Sequence, residues 1–379
     1  MKKIESLFLI STFFPFISPI PLNTDLQPIC GILGLLLLLS KLKVSLDVLV
    51  VYLFLLYISI YFFVDLLRDS YDLSKQSSVY YGIIIIMAYK KTSGYTVRIF
   101  KYSLYIYFLF LMLSLILPDI YYHYQMMIVN NREGVQYEIL EGSLRGASIL
   151  APEPSFFAAI LSSFLVINEK FFIDNIIVKK IWVLNICIII ICIVFNKSGS
   201  GLLILLLYIF YLVTKYVKYK MVVLSIGVLF IIYFVQNFQE DIASFGRAFD
   251  ILFNIVENKA DFDDASFLIR INDFFTGIYS LLYFPFGVGT GDVPKAINNI
   301  WIEQNFNLLK YSGRSGLVSA FAMGLVEFGL PFLIFVIFIF FYRNNSHFLY
   351  KCMAFFLLSF SVSFGFPLIW TLVNLKVKK

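Results

Sequence analysis

Charge and histidine are both scarce in this chain: Asp, Glu, Lys and Arg make up 14% of the 379 residues, and only 2 residues are His. Beside 60% hydrophobic residues and a mean hydropathy of +0.86, so little charge excludes a soluble globular enzyme and leaves no room for a separate soluble catalytic domain. The four cysteines, Cys30, Cys187, Cys192 and Cys352, all sit in apolar runs without C-x-x-C spacing. They read as small core residues rather than redox or metal groups. P-loop spacing is missing, and Asp261-Phe262-Asp263-Asp264 lacks the spacing of an EF-hand loop, so neither nucleotide nor calcium binding has support. No repeat of fixed period and no low-complexity tail is visible, so the chain, 1–379, reads as a single integral membrane domain. The first apolar run follows Lys2 and Lys3 but no small-residue cleavage site follows it; it reads as a retained first span.

What the chain does have is apolar segments, at 5–22, 28–40, 46–64, 79–89, 99–118, 154–168, 181–195, 201–214, 221–236, 316–341 and 351–372. With about 20 apolar helical residues needed per crossing, they predict an all-α, polytopic transmembrane bundle of about 11–12 spans. A further run, Thr276 to Val288, holds Pro285 and Gly287 and is too broken for an ordinary span. It reads as re-entrant or interfacial. Tyrosines flank many runs, as at Tyr121, Tyr122, Tyr124, Tyr216 and Tyr219, where they serve as interface anchors.

The net charge of +6 does not point to nucleic acid, because the basic residues lie in short loops and follow the positive-inside rule. With a cytoplasmic N-terminus, Lys41/Lys43, Lys90/Lys91/Arg98, Lys170/Lys179/Lys180, Lys215/Lys218/Lys220 and Arg343/Lys351 all fall inside. Two long segments, 119–153 and 237–315, then become periplasmic loops. The C-terminal lysines fit this topology if Gly365-Phe366-Pro367 splits the last run into two half-spans.

Candidate chemistry gathers on the outward side. Ala151-Pro152-Glu153-Pro154-Ser155 fixes one carboxylate between two prolines at the mouth of an apolar run, and an ionisable group at a span entrance is by default a functional-site hypothesis. Arg145 precedes it by eight residues, close enough to fold back over the same mouth, and its guanidinium fork, like that of Arg132 in the same loop, matches phosphate oxygens. Asn196-Lys197-Ser198-Gly199-Ser200-Gly201 makes a tight turn whose amides could meet an anion, although a flexible hairpin reads the same way. Arg247 lies in the second long loop. There Arg270 leads toward Pro285-Phe286-Gly287-Val288-Gly289, whose alternate glycines permit close approach of backbone to a ligand. Arg314 opens the 316–341 run, and Glu327 lies deep inside it, as an ion-pair partner or as a substrate contact.

Four stretches give the chain a family likeness: Pro152-Glu153-Pro154-Ser155, Ser198-Gly199-Ser200-Gly201-Leu202-Leu203, Arg270 leading to Pro285-Phe286-Gly287-Val288-Gly289, and Glu327-Phe328-Gly329-Leu330. In their order and topology the chain resembles the Wzy-type O-antigen and capsular polysaccharide polymerases, a branch of the O-antigen polymerase/ligase superfamily. The resemblance implies a GT-C-like membrane glycosyltransferase of the bacterial inner membrane, without metal or other cofactor. It would act on undecaprenyl-diphosphate-linked oligosaccharide among membrane lipid, with a chain-length regulator protein as a further partner. Glu153, Arg270 and Arg145 would be catalytic, the carboxylate taking a proton from the acceptor hydroxyl and the arginines steadying the departing diphosphate. Arg314, Arg247, Lys197, Arg132, Glu327, Gly287 and Gly289 would bind substrate. The ligases of the superfamily carry a His-Asn pair before the Glu-x-Gly element; here that stretch reads Gly316-Leu317-Val318-Ser319-Ala320, which argues against the ligase. A flippase is the rival of another class.

Overall fold

Helix is what these apolar runs require, because in hydrocarbon only a helix or a closed barrel satisfies every backbone N–H and C=O. In a computed structural model of the protein, residues 2–18, 26–40, 46–68, 73–129, 147–219, 265–303, 317, 319–341, 348–360 and 363–378 are described. Among them, five helices are long and apolar enough to cross a membrane: Leu49–Leu67, Val97–Ile116, Pro154–Ile173, Lys179–Asn196 and Ala320–Phe341. Shorter apolar helices cover Ile29–Ser40, Ile204–Tyr216 and Tyr350–Ser359. The chain is a mostly helical membrane protein.

The residues read as one domain group into two compact units, each drawn from three separated stretches. The first unit takes Met1–Thr12, Pro28–Gly94 and Asp264–Lys376; the second takes Phe13–Gln27, Tyr95–Asp263 and Val377–Lys379. The chain passes between them repeatedly, so no polar linker marks the division in the sequence.

In the first unit lie α1 (Lys2–Phe13, whose last residue belongs to the second), α2 (Ile29–Ser40), α3 (Leu46–Leu67) and α4 (Leu73–Lys90). The run expected to span 5–22 ends its helix at Phe13, because Pro15 disfavours helical backbone at the residue before it and offers no N–H. The second unit follows with β1 (Tyr95–Thr96), α5 (Val97–Ile116), α6 (Pro118–Ile128), α7 (Pro154–Ile173), α8 (Lys179–Asn196) and α9 (Gly199–Tyr216). Its centre is α7, with 78% of its apolar window buried by protein, so this helix faces neighbours rather than lipid. Phe164 stacks on Phe13 at 4.9 Å and meets Phe100 and Tyr107 edge-on. The Tyr107 hydroxyl donates to the Phe13 carbonyl at 2.7 Å.

The first unit resumes with α10 (Ala265–Tyr283), α11 (Val293–Glu303), α12 (Ala320–Phe341), α13 (Phe348–Phe360) and α14 (Pro367–Val373); β2 (Val377–Lys378) then pairs in parallel with β1 in the second. Much of the segment expected to be a loop over 237–315 is thus helical: α10 packs along α12, where Gly277 brings its backbone against Ala322. The run from Thr276 to Val288, read as too broken for an ordinary span, divides in two. Its first part completes α10, and its second makes a turn at Pro285-Phe286, closed by Gly287 N–H on the Phe284 carbonyl at 2.8 Å. The break expected at Gly365-Phe366-Pro367 is present, between α13 and α14.

Candidate functional site

Two of the motifs singled out by sequence meet in the second unit. Glu153 is the N-cap residue of α7, with extended backbone (φ −144°, ψ 155°), and Pro154 takes the first helical position, where a missing N–H costs nothing. Its carboxylate makes no capping hydrogen bond; Ser155 Oγ donates to Glu153 Oε2 at 3.4 Å. The turn leading to it is tied down from two sides. On one side, Gln125 of α6 donates through Nε2 to the carbonyls of Ser148 at 3.0 Å and Ala151 at 3.2 Å, and the Tyr121 hydroxyl accepts from Leu150 N–H at 3.1 Å. Burial pushes the Tyr121 phenol up from its ordinary value, so it stays protonated at neutral pH.

On the other side stands Asn196, the last residue of α8, which is fully buried. Its Nδ2 donates to the carbonyl of Ala147 at 2.8 Å and to that of Pro154 at 2.9 Å. The next residue, Lys197, turns the chain in the left-handed region (φ 49°) and is exposed. Ser198 and Ser200 share a hydrogen bond at 2.8 Å, and Gly201 lies against Ala158 of α7. The Pro-Glu-Pro entrance and the Ser-Gly-Ser-Gly turn are therefore one clasp, closed by Asn196. Asn196→Leu should cost about 1–3 kcal/mol, because two carbonyls lose their donor inside the protein. Asn196→Asp should do no better, since a carboxylate offers them no donor. Thermal unfolding in detergent reads both; an unchanged midpoint for Asn196→Leu would show that the clasp carries no stability.

The other two motifs meet in the first unit, through hydrogen-bond arithmetic that starts at a proline. Pro331 lies inside α12 and has no N–H, so the carbonyl of Glu327, four residues earlier, loses its helical donor. Gly289 N–H supplies one at 3.0 Å. Gly329 leaves helical geometry (φ 60°, ψ −142°), and Leu330 N–H goes to the carbonyl of Pro285 at 2.7 Å while Val326 accepts from Val288 N–H at 3.0 Å. The 285–289 turn segment thus occupies the gap in α12. Two tyrosines of α3 complete it: the hydroxyls of Tyr57 and Tyr61 both donate to the Phe286 carbonyl. Asp65, one turn on and 2% exposed, accepts from Thr290 N–H and Oγ1, each at 2.9 Å. Ser319 caps the start of α12, accepting from Ala322 N–H at 3.1 Å.

Of the residues expected in a site, Gly287, Gly289 and the buried Glu327 come together at this break. Arg270 lies in the same unit, half-buried on α10 rather than in a loop, one turn before the buried Asp273. Glu153 and Lys197 lie in the second unit. Arg132, Arg145, Arg247 and Arg314 fall outside the described residues.

Sequence reading missed two constellations. One is Asp65 with Tyr57 and Tyr61, whose spacing of four along α3 signals one helix face. The other is Glu169, fully buried near the end of α7. It accepts from Lys215 Nζ at 3.0 Å, Tyr216 Oη at 2.9 Å and Tyr211 Oη at 3.4 Å on one oxygen, and from Trp182 Nε1 and Tyr208 Oη, each at 3.1 Å, on the other. Five donors on one carboxylate fill its acceptor capacity, which marks it as a structural joint among α7, α8 and α9 rather than a proton-transfer group. No protein-family model, characterised protein or solved structure matches the chain.

Proposed function

We propose that the chain is an integral-membrane glycosyltransferase of the bacterial inner membrane. It would polymerise undecaprenyl-diphosphate-linked oligosaccharide repeat units into O-antigen or capsular polysaccharide at the periplasmic face. In this reading an acceptor hydroxyl attacks the anomeric carbon of the growing glycan, the bond to the diphosphate breaks, and the lipid diphosphate leaves. A carboxylate takes the hydroxyl proton, for which Glu153 is the candidate, and Arg270 steadies the negative charge that develops on the diphosphate.

One observation supports the reading above the rest. The motifs that carry the family likeness are not scattered: Pro152–Ser155 adjoins the Ser198–Gly201 turn through Asn196, and Pro285–Gly289 fills the break at Glu327–Leu330. Short motifs matched by chance in an apolar chain have no reason to pair in space.

The flippase has an observation of its own, since discontinuous helices are a transporter device and α12 is discontinuous. In transporters, however, the freed carbonyls coordinate the moving ion, whereas here those of Val326, Glu327, Pro285 and Phe286 are taken by N–H or tyrosine donors. The break is sealed with backbone, which favours a rigid framework.

Deletion of the encoding gene followed by glycolipid electrophoresis separates the two readings. Polymerase loss leaves single-repeat product; loss of all exported product favours the flippase. Returned on a plasmid, Glu153→Ala and Arg270→Ala should each lower long-chain polymer at least about 100-fold, the scale of removing a general base or a charge-stabilising group, while sparing the single-repeat band. Normal ladders from both variants would overturn the assignment of those residues.

A further inference from the structure

Beside the sealed break, the first unit holds an open cavity of about 690 Å³, within the range of small-molecule sites. Its lining is apolar at Ile60 and Val64 of α3 and at Phe284 just after α10, the side taken as its floor, and polar at Arg68, Asp292, Lys295 and Asn299, taken as its rim. Arg68 directly follows the apolar stretch Leu49–Leu67, so the rim stands where a membrane span gives way to headgroups. Among the described residues the Arg68 guanidinium has no hydrogen-bond or ion-pair partner.

Among the described residues, the acidic neighbours do not neutralise the rim. Asp65 is turned to Thr290, whose N–H and hydroxyl it accepts. Asp292 pairs with Lys295 at 3.2 Å, but the lysine side chain is 84% exposed, and such exposed pairs hold weakly enough for an incoming anion to displace them. What remains is an uncommitted arginine fork and a movable ammonium above an apolar floor.

We propose that this cavity binds the phosphate headgroup of a membrane amphiphile. Arg68 takes two phosphate oxygens with its fork, Lys295 swings from Asp292 to a third, and the first carbons of the lipid chain lie against Ile60, Val64 and Phe284. The simplest competing account has Arg68 reaching to bulk headgroups as arginines at span ends commonly do. That account needs neither a cavity nor an apolar floor, and it predicts no dependence on Lys295 or Val64. The inference requires the membrane setting but not the glycosyl-transfer chemistry.

The full chain, purified in a phosphate-free maltoside detergent, should be titrated with farnesyl diphosphate, short-chain phosphatidylglycerol and inorganic pyrophosphate, with thermal stabilisation and direct binding as readouts. Arg68→Ala with Lys295→Ala should weaken binding by about tenfold or more, and Arg68→Lys should recover part of it because charge is kept and the fork lost. Val64→Trp, which fills the floor, should weaken the two amphiphiles and spare pyrophosphate. Preference for farnesyl diphosphate identifies an isoprenoid diphosphate as the source, and preference for phosphatidylglycerol a bulk phospholipid; pyrophosphate binding as tightly as either would overturn the amphiphile. Failure of all three probes on the native chain, or full affinity in the folded double variant, would overturn the site. Neither outcome depends on polymer ladders, so the site and the polymerase reading can fail separately.

Discussion

Gly329→Ala is expected to destabilise the first unit by about 3–5 kcal/mol, at the upper end of what one substitution does. Two costs combine. The backbone at this position (φ 60°, ψ −142°) lies in a region that L side chains rarely adopt, which alone is worth about 1–3 kcal/mol. A methyl there would also stand 2.2 Å from the Pro285 carbonyl oxygen and 2.6 Å from Gly287 N. Both obstacles are backbone, so neither can rotate away; relief means withdrawing the 285–289 segment and losing its hydrogen bonds to Val326, Glu327 and Leu330. Gly287→Ala presses the same contact from the other side, with its methyl 2.3 Å from the Glu327 carbonyl at φ 81°. The pair should therefore be less than additive, because the first substitution already opens what the second would strain. Gly34→Ala is the control: it meets only side-chain atoms, at 3.2–3.3 Å, and should shift the unfolding midpoint in detergent far less. Equal midpoints for Gly34→Ala and Gly329→Ala would show that the break is not held as described.

The parts legible in the sequence are those set by a residue's own backbone chemistry. Pro154 after Glu153 announced the start of α7, Pro285 the broken part of Thr276 to Val288, and Pro367 the second half of the last run, since proline fixes φ and withholds a donor wherever it stands. The membrane class followed from composition alone. What sequence could not give was pairing at a distance. The partner of the Pro331 gap is Gly289, 42 residues earlier, and nothing in either local pattern names the other. Asn196 read as the start of a loose hairpin because its two acceptors, Ala147 and Pro154, lie on another stretch of chain. Arg270 read as a loop residue because charge is dense just before it; yet it lies on α10, whose later residues Asn272, Asp273, Thr276 and Ser280 are buried. The pull of the acidic cluster at 261–264 on that reading was a property of its neighbours, not of α10.

Glu169 is the clearest case of a signal present but unread, and it carries the second large effect. It ends an apolar run beside Lys170, where a carboxylate looks like a solvated loop charge, while its donors lie 13 to 47 residues away. The clue was on the other helix: Tyr208, Tyr211, Lys215 and Tyr216 recur at helical spacing on one face of α9, a polar stripe that in an apolar helix requires an acceptor. Glu169→Ala should cost the second unit about 3–5 kcal/mol, the usual scale for breaking a buried charge pair by removing one partner. The loss comes less from the ion pair, since Lys215 keeps 28% side-chain exposure, than from stranding Trp182 and Tyr208 donors in a protein interior. Glu169→Gln keeps the volume but turns one acceptor into a donor facing other donors, so it should also destabilise, by about 1–3 kcal/mol. Lys215→Met alone leaves a carboxylate buried among neutral donors and should cost a similar amount. Combining it with Glu169→Gln removes both charges, and the double variant should then be more stable than the sum of the single losses predicts. Thermal unfolding in detergent reads the cycle, and Trp182, which stacks on Phe172 at 4.7 Å and donates to Glu169, contributes to it as one of 3 tryptophans. Strict additivity in the cycle would mean that the lysine and the carboxylate act independently, and the five-donor joint would then be proximity without coupling.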